Sequence, residues 1–121
     1  MNHLINWIEI PVTDMKRAIG FYSKILDVKL NEMEIGPVKY ALFPASDRFN
    51  NGALALGEYY IPSADGVTIY LDGGNDLDRI LLKVKAAGGN VIMDKTFLSS
   101  EAGYIGLFID SEGNRIGLQN M

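Results

Sequence analysis

Residues 9–22 read Glu-Ile-Pro-Val-Thr-Asp-Met-Lys-Arg-Ala-Ile-Gly-Phe-Tyr, and they contain the junction between a strand and a helix. Side chains alternate in polarity along Leu4–Val12, as they do in a half-buried strand, and Pro11 marks the end of this strand. Asp14 is a preferred N-cap residue, and apolar side chains then recur three and four residues apart as far as Leu26. The stretch therefore predicts a strand followed by an amphipathic helix over residues 15–26.

The same pattern occurs twice along the chain. Three further short strands are predicted after the first helix, at Val28–Ile35, Val38–Phe43 and Ala53–Glu58, with a polar loop through Asn50-Asn51-Gly52. After a connector at Tyr59–Asp65, the pattern restarts with a strand at Val67–Asp72, a helix capped by Asp76 that ends at Gly88-Gly89, and strands at Gly89–Met93, Gly103–Ile109 and Asn114–Gln119. The two capping aspartates are 62 residues apart, about half the chain. We therefore expect one domain over residues 1–121 built from two βαβββ repeats, at about 4–58 and 66–120.

Composition excludes several classes of function. The formal net charge is −4 and the 11 Lys and Arg residues are scattered, so we expect no nucleic-acid partner. The chain has no cysteine, which excludes disulfides and thiolate chemistry. Its one histidine, His3, precedes the first strand and cannot complete a catalytic triad. Because no apolar run approaches the ~20 residues of a spanning helix and no signal peptide is recognisable, we expect no membrane partner and a cytoplasmic protein.

Two motifs carry a family resemblance. The first is the stretch at 9–22, and the second is Asp-Ser-Glu-Gly-Asn-Arg-Ile-Gly-Leu at 110–118. Together with the repeated βαβββ pattern, they resemble the vicinal oxygen chelate superfamily, which comprises glyoxalase I, bleomycin resistance proteins and extradiol dioxygenases. The resemblance implies an α+β fold in which a curved, eight-stranded, open-barrel sheet carries its helices on the convex side. It also implies a small-molecule cleft on the concave side and a homodimer.

The metal ligands of this superfamily project from four strands, and their positions can be located here. The resemblance places them at Trp7, within Ala53–Gly57, at Thr68 or Gly66, and at Gly117. None of these residues has an imidazole or carboxylate, and a divalent metal needs about three protein ligands. We therefore expect neither a metal nor another cofactor.

Glu9 is the main candidate for chemistry. Strand alternation puts it beside Trp7 and away from Ile8 and Ile10, which face the core. It would act as a general base or accept a hydrogen bond from a ligand. An ion pair with Arg115 is the structural alternative.

The second repeat contributes further candidates to the cleft. Alternation places Arg115, Gly117 and Gln119 on one face, and Tyr70 on the same face as Thr68. Arg115 would clamp an anion, unless it simply faces solvent, and the rings of Trp7 and Tyr70 would form walls. Gly117 would make room for the Trp7 ring.

A second set of side chains lies beside the cleft. Lys95, Glu101 and Tyr104 lie on or next to a predicted loop, Asp94–Gly103. This loop would close over the cleft as a lid, unless its charges are merely solvated.

Three functions remain open at this point. The leading hypothesis is metal-independent binding of a small molecule in a cleft lined by Trp7, Glu9, Tyr70 and Arg115. The second is a glyoxalase-like lyase or isomerase, within a superfamily that also includes dioxygenases, with Glu9 as proton shuttle. The third is a non-catalytic dimeric interaction module, for which the cleft would be filled by Trp7 and Tyr70.

Overall fold

The secondary structure consists of ten elements, described here for residues 4–45 and 51–120 of a computed structural model. In chain order they are β1 (Trp7–Pro11), α1 (Met15–Leu26), β2 (Asn31–Ile35), β3 (Val38–Leu42), β4 (Asn51–Leu56), β5 (Ile69–Asp72), α2 (Leu77–Ala87), β6 (Asn90–Ser99), β7 (Gly103–Ile109) and β8 (Arg115–Asn120). This order is two βαβββ units, as predicted. His3 and Asn50 lie outside the described residues.

The eight described strands form two four-stranded sheets, in the orders β1-β4-β3-β2 and β5-β8-β7-β6. In each sheet the first strand of the repeat pairs in parallel with the last, and the remaining pairs are antiparallel. The two sheets thus have the same topology and form no closed barrel. The α+β fold class with two repeats is confirmed.

Both helices begin and end as their sequence predicts. The side chains of Asp14 and Asp76 accept hydrogen bonds from the backbone N–H groups three residues later, at 3.0 and 3.3 Å. Asp27 ends α1 at φ 54°, a left-handed conformation that Asp tolerates, and Gly88 ends α2 at φ 112°. The helix boundaries therefore follow from the caps.

One hydrophobic core joins the two repeats. Helix α1 contacts strands of the first sheet, α2 contacts strands of the second, and the two helices contact each other. The buried Phe21 ring of α1 lies 5.8 Å from the Phe108 ring of β7, measured between ring centroids. The core therefore continues across the repeat boundary, and neither helix packs on its own sheet alone.

A buried carboxylate fastens the second repeat to the start of α1. Glu112 lies in the turn between β7 and β8, and its side chain is fully buried. One carboxylate oxygen accepts hydrogen bonds from the backbone N–H groups of Thr13 and Asp14, each at 2.9 Å. The other accepts a 2.7 Å hydrogen bond from Arg17 Nε. The turn is thus held to the N-terminus of α1, where backbone N–H groups favour an anion.

The same turn holds the end of β1. Asp110 and Asn114 are buried, and the Tyr22 hydroxyl donates a 2.5 Å hydrogen bond to the Asp110 carboxylate. Asn114 Nδ2 donates to the Pro11 carbonyl at 2.7 Å, and Asn114 Oδ1 accepts from the Ser63 N–H at 3.1 Å. These bonds tie β1, α1 and the connector between the repeats to one hairpin turn.

Several predicted strand ends are wrong. The first strand begins at Trp7 rather than Leu4, and the fourth covers Asn51–Leu56, so Asn51 and Gly52 belong to the strand and not to the predicted loop. The largest error concerns β6, which continues to Ser99 and so includes most of the predicted Asp94–Gly103 lid. Register shifts between β6 and β7 interrupt the alternation of side chains along β6. The sequence pattern therefore does not reveal the full length of this strand.

None of the helices within residues 4–45 and 51–120 is both long enough and apolar enough to cross a membrane.

Acid should weaken the link between the repeats. Burial would raise the pKa of Glu112, but the hydrogen bonds from Arg17, Asp14 and Thr13 outweigh it and lower this pKa to about 2. Because the folded-state pKa is lowered, the stabilisation is complete above the unfolded pKa of about 4.5 and is lost as the pH falls towards 2. We expect on the order of 3 kcal/mol of unfolding free energy to disappear over this range.

Urea unfolding of the wild-type protein and of Glu112→Gln between pH 2 and 7 measures this effect. At pH 7 Glu112→Gln should lose stability, and its remaining pH dependence below pH 4.5 should be shallower than that of the wild type. The matched control is Glu101→Gln, which removes an exposed carboxylate. Identical pH profiles for Glu112→Gln and the wild type would contradict the assignment.

Candidate functional site

The face of the first sheet that carries Glu9 points away from the main core. In β1, Ile8 and Ile10 pack in or against the core cluster, so alternation puts Trp7 and Glu9 on the opposite face. Glu9 is level with Ala53 of β4 and, beyond it, with Leu42 of β3. The neighbouring row contains Tyr40. Ala53 is itself fully buried, so the position between Glu9 and Leu42 is not open to solvent.

Two aromatic side chains hold the Glu9 carboxylate. The Tyr60 hydroxyl donates a 2.7 Å hydrogen bond to Glu9 Oε1, and Trp7 Nε1 donates a 3.3 Å hydrogen bond to Glu9 Oε2. Hydrogen bonds with Glu9, and then with Tyr40, raise the pKa of Tyr60 above its ordinary value, so the phenol keeps its proton at neutral pH. We call Trp7, Glu9, Tyr40 and Tyr60 the Glu9 cluster.

The Glu9 cluster is open to solvent. The Trp7 side chain is 40% exposed, and Glu9, Tyr40 and Tyr60 are half-buried. A carboxylate offers about four lone-pair positions, of which two are used here. Glu9 therefore retains acceptor capacity for a molecule that reaches this face.

The remaining predicted site residues lie together on the second sheet, and we call Thr68, Tyr70, Arg115, Gly117 and Gln119 the Arg115 cluster. Strand register places Tyr70 opposite Gly117. A β-carbon added to Gly117 would come within 2.4 Å of the Tyr70 ring, so this glycine makes room for Tyr70. The prediction that Gly117 accommodates Trp7 is wrong, because the parallel pairing of β5 with β8 brings Tyr70 there.

Arg115 holds the connector between the repeats. Its Nε donates a 3.0 Å hydrogen bond to Thr68 Oγ1, and its Nη2 donates a 3.1 Å hydrogen bond to the Gly66 carbonyl. It forms no ion pair with Glu9, since the one ion pair within residues 4–45 and 51–120 joins Arg17 to Glu112. The predicted Glu9–Arg115 pair is therefore wrong. The alternative prediction, that Arg115 simply faces solvent, is also wrong.

The chain brings the candidate residues together in two groups rather than one. Trp7 and Glu9 lie on the first sheet, and the Arg115 cluster lies on the second. The connector joins them, because Tyr60 bonds Glu9 and Gly66 bonds Arg115. Tyr60 and Gly66 are six positions apart in the sequence, which limits the span of the chain between them to about 20 Å. Gln119 donates to the Ala102 carbonyl at 2.9 Å and so is also held by its own repeat.

The residues at the superfamily's metal positions do not fit a divalent metal. Trp7, Thr68 and Gly117 have no suitable donor, and β4 has only apolar residues and Gly at 52–56. Within residues 4–45 and 51–120, no group of three or more His, Cys, Asp or Glu side chains could hold a metal ion. These residues therefore give no basis for a metal-dependent reaction.

Two of the three predicted lid residues, Lys95 and Tyr104, belong to strands. The Lys95 ammonium lies 4.6 Å from the centroid of the Tyr104 ring, which itself packs edge-on against Phe97 at 5.4 Å. Lys95 and Phe97 are in β6, Tyr104 is in β7, and Glu101 is in the turn between them. These contacts are those of a paired hairpin.

A cavity with a volume of about 930 Å³ lies on the other side of β1. Its apolar walls come from the inward side chains of β1 and β5 and from both helices, including Ile10, Leu71 and Ile80. Of the predicted site residues, only Tyr70 lines it. The cavity and the Glu9 cluster are thus separate features.

Sequence reasoning missed Tyr60 and Tyr40. Tyr60 lies in the connector, which has no periodicity that could reveal its direction, and only the fold brings it to Glu9. Tyr40 does carry a signal, because it alternates with the buried Ala41 along β3. Locating Tyr40 next to Glu9 also requires the order and register of the strands.

Comparison with known families and structures agrees with this architecture. The profile of the Glyoxalase/Bleomycin resistance protein/Dioxygenase superfamily matches residues 4–118, and the chain belongs to this superfamily. No curated protein sequence matches the chain significantly.

Three solved structures show the shared fold. A glyoxalase/bleomycin resistance protein from Albidiferax ferrireducens has a TM-score of 0.71 at 15% identity, with 98% of this chain and 100% of that chain covered. The protein UcmS2 has a TM-score of 0.71 at 20% identity, with both chains fully covered. A glyoxalase I variant from Zea mays has a TM-score of 0.69 at 20% identity over 93% of this chain, which spans only 45% of the maize chain. At these sequence identities, the structural similarity establishes the shared fold.

Proposed function

We propose that this protein binds a small organic molecule without a divalent metal, and that the Glu9 cluster is the centre of the site. The observation that carries the proposal is the half-buried Glu9 carboxylate, which two aromatic donors orient while it keeps free acceptor positions. Binding sites for small molecules typically combine aromatic walls with a few oriented polar groups. The donor set at the superfamily's metal positions supports the metal-free part of the proposal.

The Arg115 cluster forms the second half of this proposed site. Tyr70 is 44% exposed and rests over Gly117, so its ring is available as a wall. Arg115 keeps N–H groups beyond the two that bind Thr68 and Gly66. In our proposal it positions the connector, and thereby Tyr60, while the Glu9 cluster makes the primary contact.

The other two functions have less support. A proton shuttle at Glu9 requires the carboxylate to contact the reacting atoms of a substrate, and here Trp7 and Tyr60 already bind both of its oxygens. An interaction module whose cleft is filled would bury Trp7 and Tyr70, whereas about two-fifths of each side chain is exposed.

A fragment screen tests the proposed function. A set of cationic, neutral and anionic organic fragments is added to uniformly ¹⁵N-labelled protein in excess EDTA, and amide shifts are followed by NMR. Shift changes should concentrate around residues 7–9, 40 and 60, and they should be lost in Trp7→Ala. The Tyr60→Phe variant should also weaken binding, because Glu9 loses its shorter hydrogen bond.

The control for Tyr60→Phe is Tyr59→Phe, which changes the adjacent, 88% exposed tyrosine and should leave binding intact. The proposal fails if shift changes at the Glu9 cluster occur only after Zn²⁺, Ni²⁺, Mn²⁺ or Fe²⁺ is added. It also fails if every fragment binds elsewhere, for example in the cavity between the repeats.

We also propose that the protein is a homodimer. In addition to the family resemblance, the proposal is supported by Ile92, Phe97 and Leu98 of β6, an edge strand on which these side chains are each at least half exposed. Exposed apolar side chains on an edge strand favour association. We expect light scattering coupled to gel filtration to give twice the chain mass, and Leu98→Lys to shift it to the monomer mass.

The matched control for the dimer is Leu82→Lys, which alters an 82% exposed leucine on α2 and should leave the mass unchanged. A single-chain mass for the wild-type protein at micromolar concentration would overturn the dimer.

A cytoplasmic location is likewise our proposal, supported by the absence of cysteine from the chain.

A further inference from the structure

The charge that the Glu9 cluster offers to a ligand is negative, and this conclusion rests on the proposed function. The other charged residue predicted for the cleft, Arg115, keeps its charge but is held on the second sheet by Thr68 and the Gly66 carbonyl. Gln119 is bound to the Ala102 carbonyl. Glu9 is therefore the charged group that remains available at the centre of the site.

Glu9 has no cationic partner among the described residues. Its hydrogen bonds come from two neutral donors, Tyr60 and Trp7. Lys39, the cation next to Tyr40 on β3, points to the opposite face of the sheet by alternation and is exposed. A half-buried carboxylate is usually paired with a positive charge, and residues 4–45 and 51–120 supply no such partner.

The side chains around Glu9 suit a positive charge. Trp7 is the aromatic side chain whose ring attracts cations most strongly, and Tyr60 and Tyr40 follow it. Trp7 and Tyr60 donate to the carboxylate from their N–H and O–H groups, which are at the ring edges. Their ring faces, where the negative end of the quadrupole lies, are not used by these bonds. A carboxylate between aromatic rings is a combination that binds ammonium groups.

We propose that the Glu9 cluster recognises an organic cation through its ammonium group, with Glu9 as counter-ion and Trp7 as the aromatic surface against which the cation packs. The apolar part of such a molecule would lie beside Leu42, which shares a row with Glu9 and, unlike the fully buried Ala53 between them, is partly exposed. The class comprises substituted amines and quaternary ammonium compounds, and it excludes anions, which Glu9 would repel.

The test compares two molecules of nearly the same shape that differ in charge, choline and 3,3-dimethylbutan-1-ol. Trp7 is the single tryptophan of the chain, so its fluorescence reports binding at this cluster directly. Titrations in EDTA should give an affinity for choline at least about tenfold higher than for the neutral alcohol. Glu9→Gln should reduce the choline affinity by about the same factor and leave the affinity for the alcohol within about twofold.

The control variant is Glu58→Gln, which removes an exposed carboxylate shortly after β4 and should change neither affinity. The inference is overturned if choline gives no saturable change, if the two molecules bind equally, or if Glu9→Gln leaves choline binding intact. If neutral fragments still shift the amide signals of the Glu9 cluster in EDTA, the proposal of metal-free binding stands and only the proposed preference for a cation is rejected. If binding at the cluster of any fragment, choline included, needs an added metal, the proposed function itself fails.

Discussion

The buried turn at residues 110–114 constrains the rest of the molecule. Glu112 binds the backbone N–H groups of Thr13 and Asp14 immediately before α1, and Asp110 binds the hydroxyl of Tyr22, about two turns into the same helix. Asn114 completes the set by binding the carbonyl of Pro11 at the end of β1. All three side chains come from the second repeat, and all three partners belong to the first. Because burying polar groups is costly unless every one is bonded, the two repeats have one favourable relative position.

This constraint reaches the proposed binding site through the connector. Asn114 also accepts a hydrogen bond from the backbone of Ser63, midway between Tyr60 at the Glu9 cluster and Gly66 at Arg115. The connector is therefore held at three points, one of them by Asn114 at the end of the turn and another by Arg115 at the start of β8. The hydrogen bonds at Ser63 and Gly66 hold the connector in a position from which Tyr60 reaches Glu9. In this account, the turn that joins the repeats also orients the carboxylate that meets a ligand.

Much of the fold could be predicted from local patterns, whereas the site could be predicted only in part. The helix caps at Asp14 and Asp76, the left-handed Asp27 and the shared face of Trp7 and Glu9 all follow from short-range rules of spacing and backbone conformation. The contacts of Tyr60 and Arg115 depend on residues about 50 positions away in the chain, and alternation carries no information about them. An ion pair between Glu9 and Arg115 is the structural alternative that the sequence leaves open, but Thr68 and the Gly66 carbonyl bind the guanidinium instead. The long β6 strand was missed because its register shifts break the two-residue period.

The central claim is that Glu9 is held by Tyr60 and has no cationic partner within residues 4–45 and 51–120. A pair of double-mutant cycles measures this directly, with unfolding free energies for Glu9→Gln, Tyr60→Phe, Arg115→Gln and the two double variants. The account predicts a coupling of about 1 kcal/mol between Glu9 and Tyr60, as expected for a hydrogen bond to a charged group that is partly exposed. It predicts a coupling near zero between Glu9 and Arg115. A clear coupling of Glu9 to Arg115, with none to Tyr60, would contradict it.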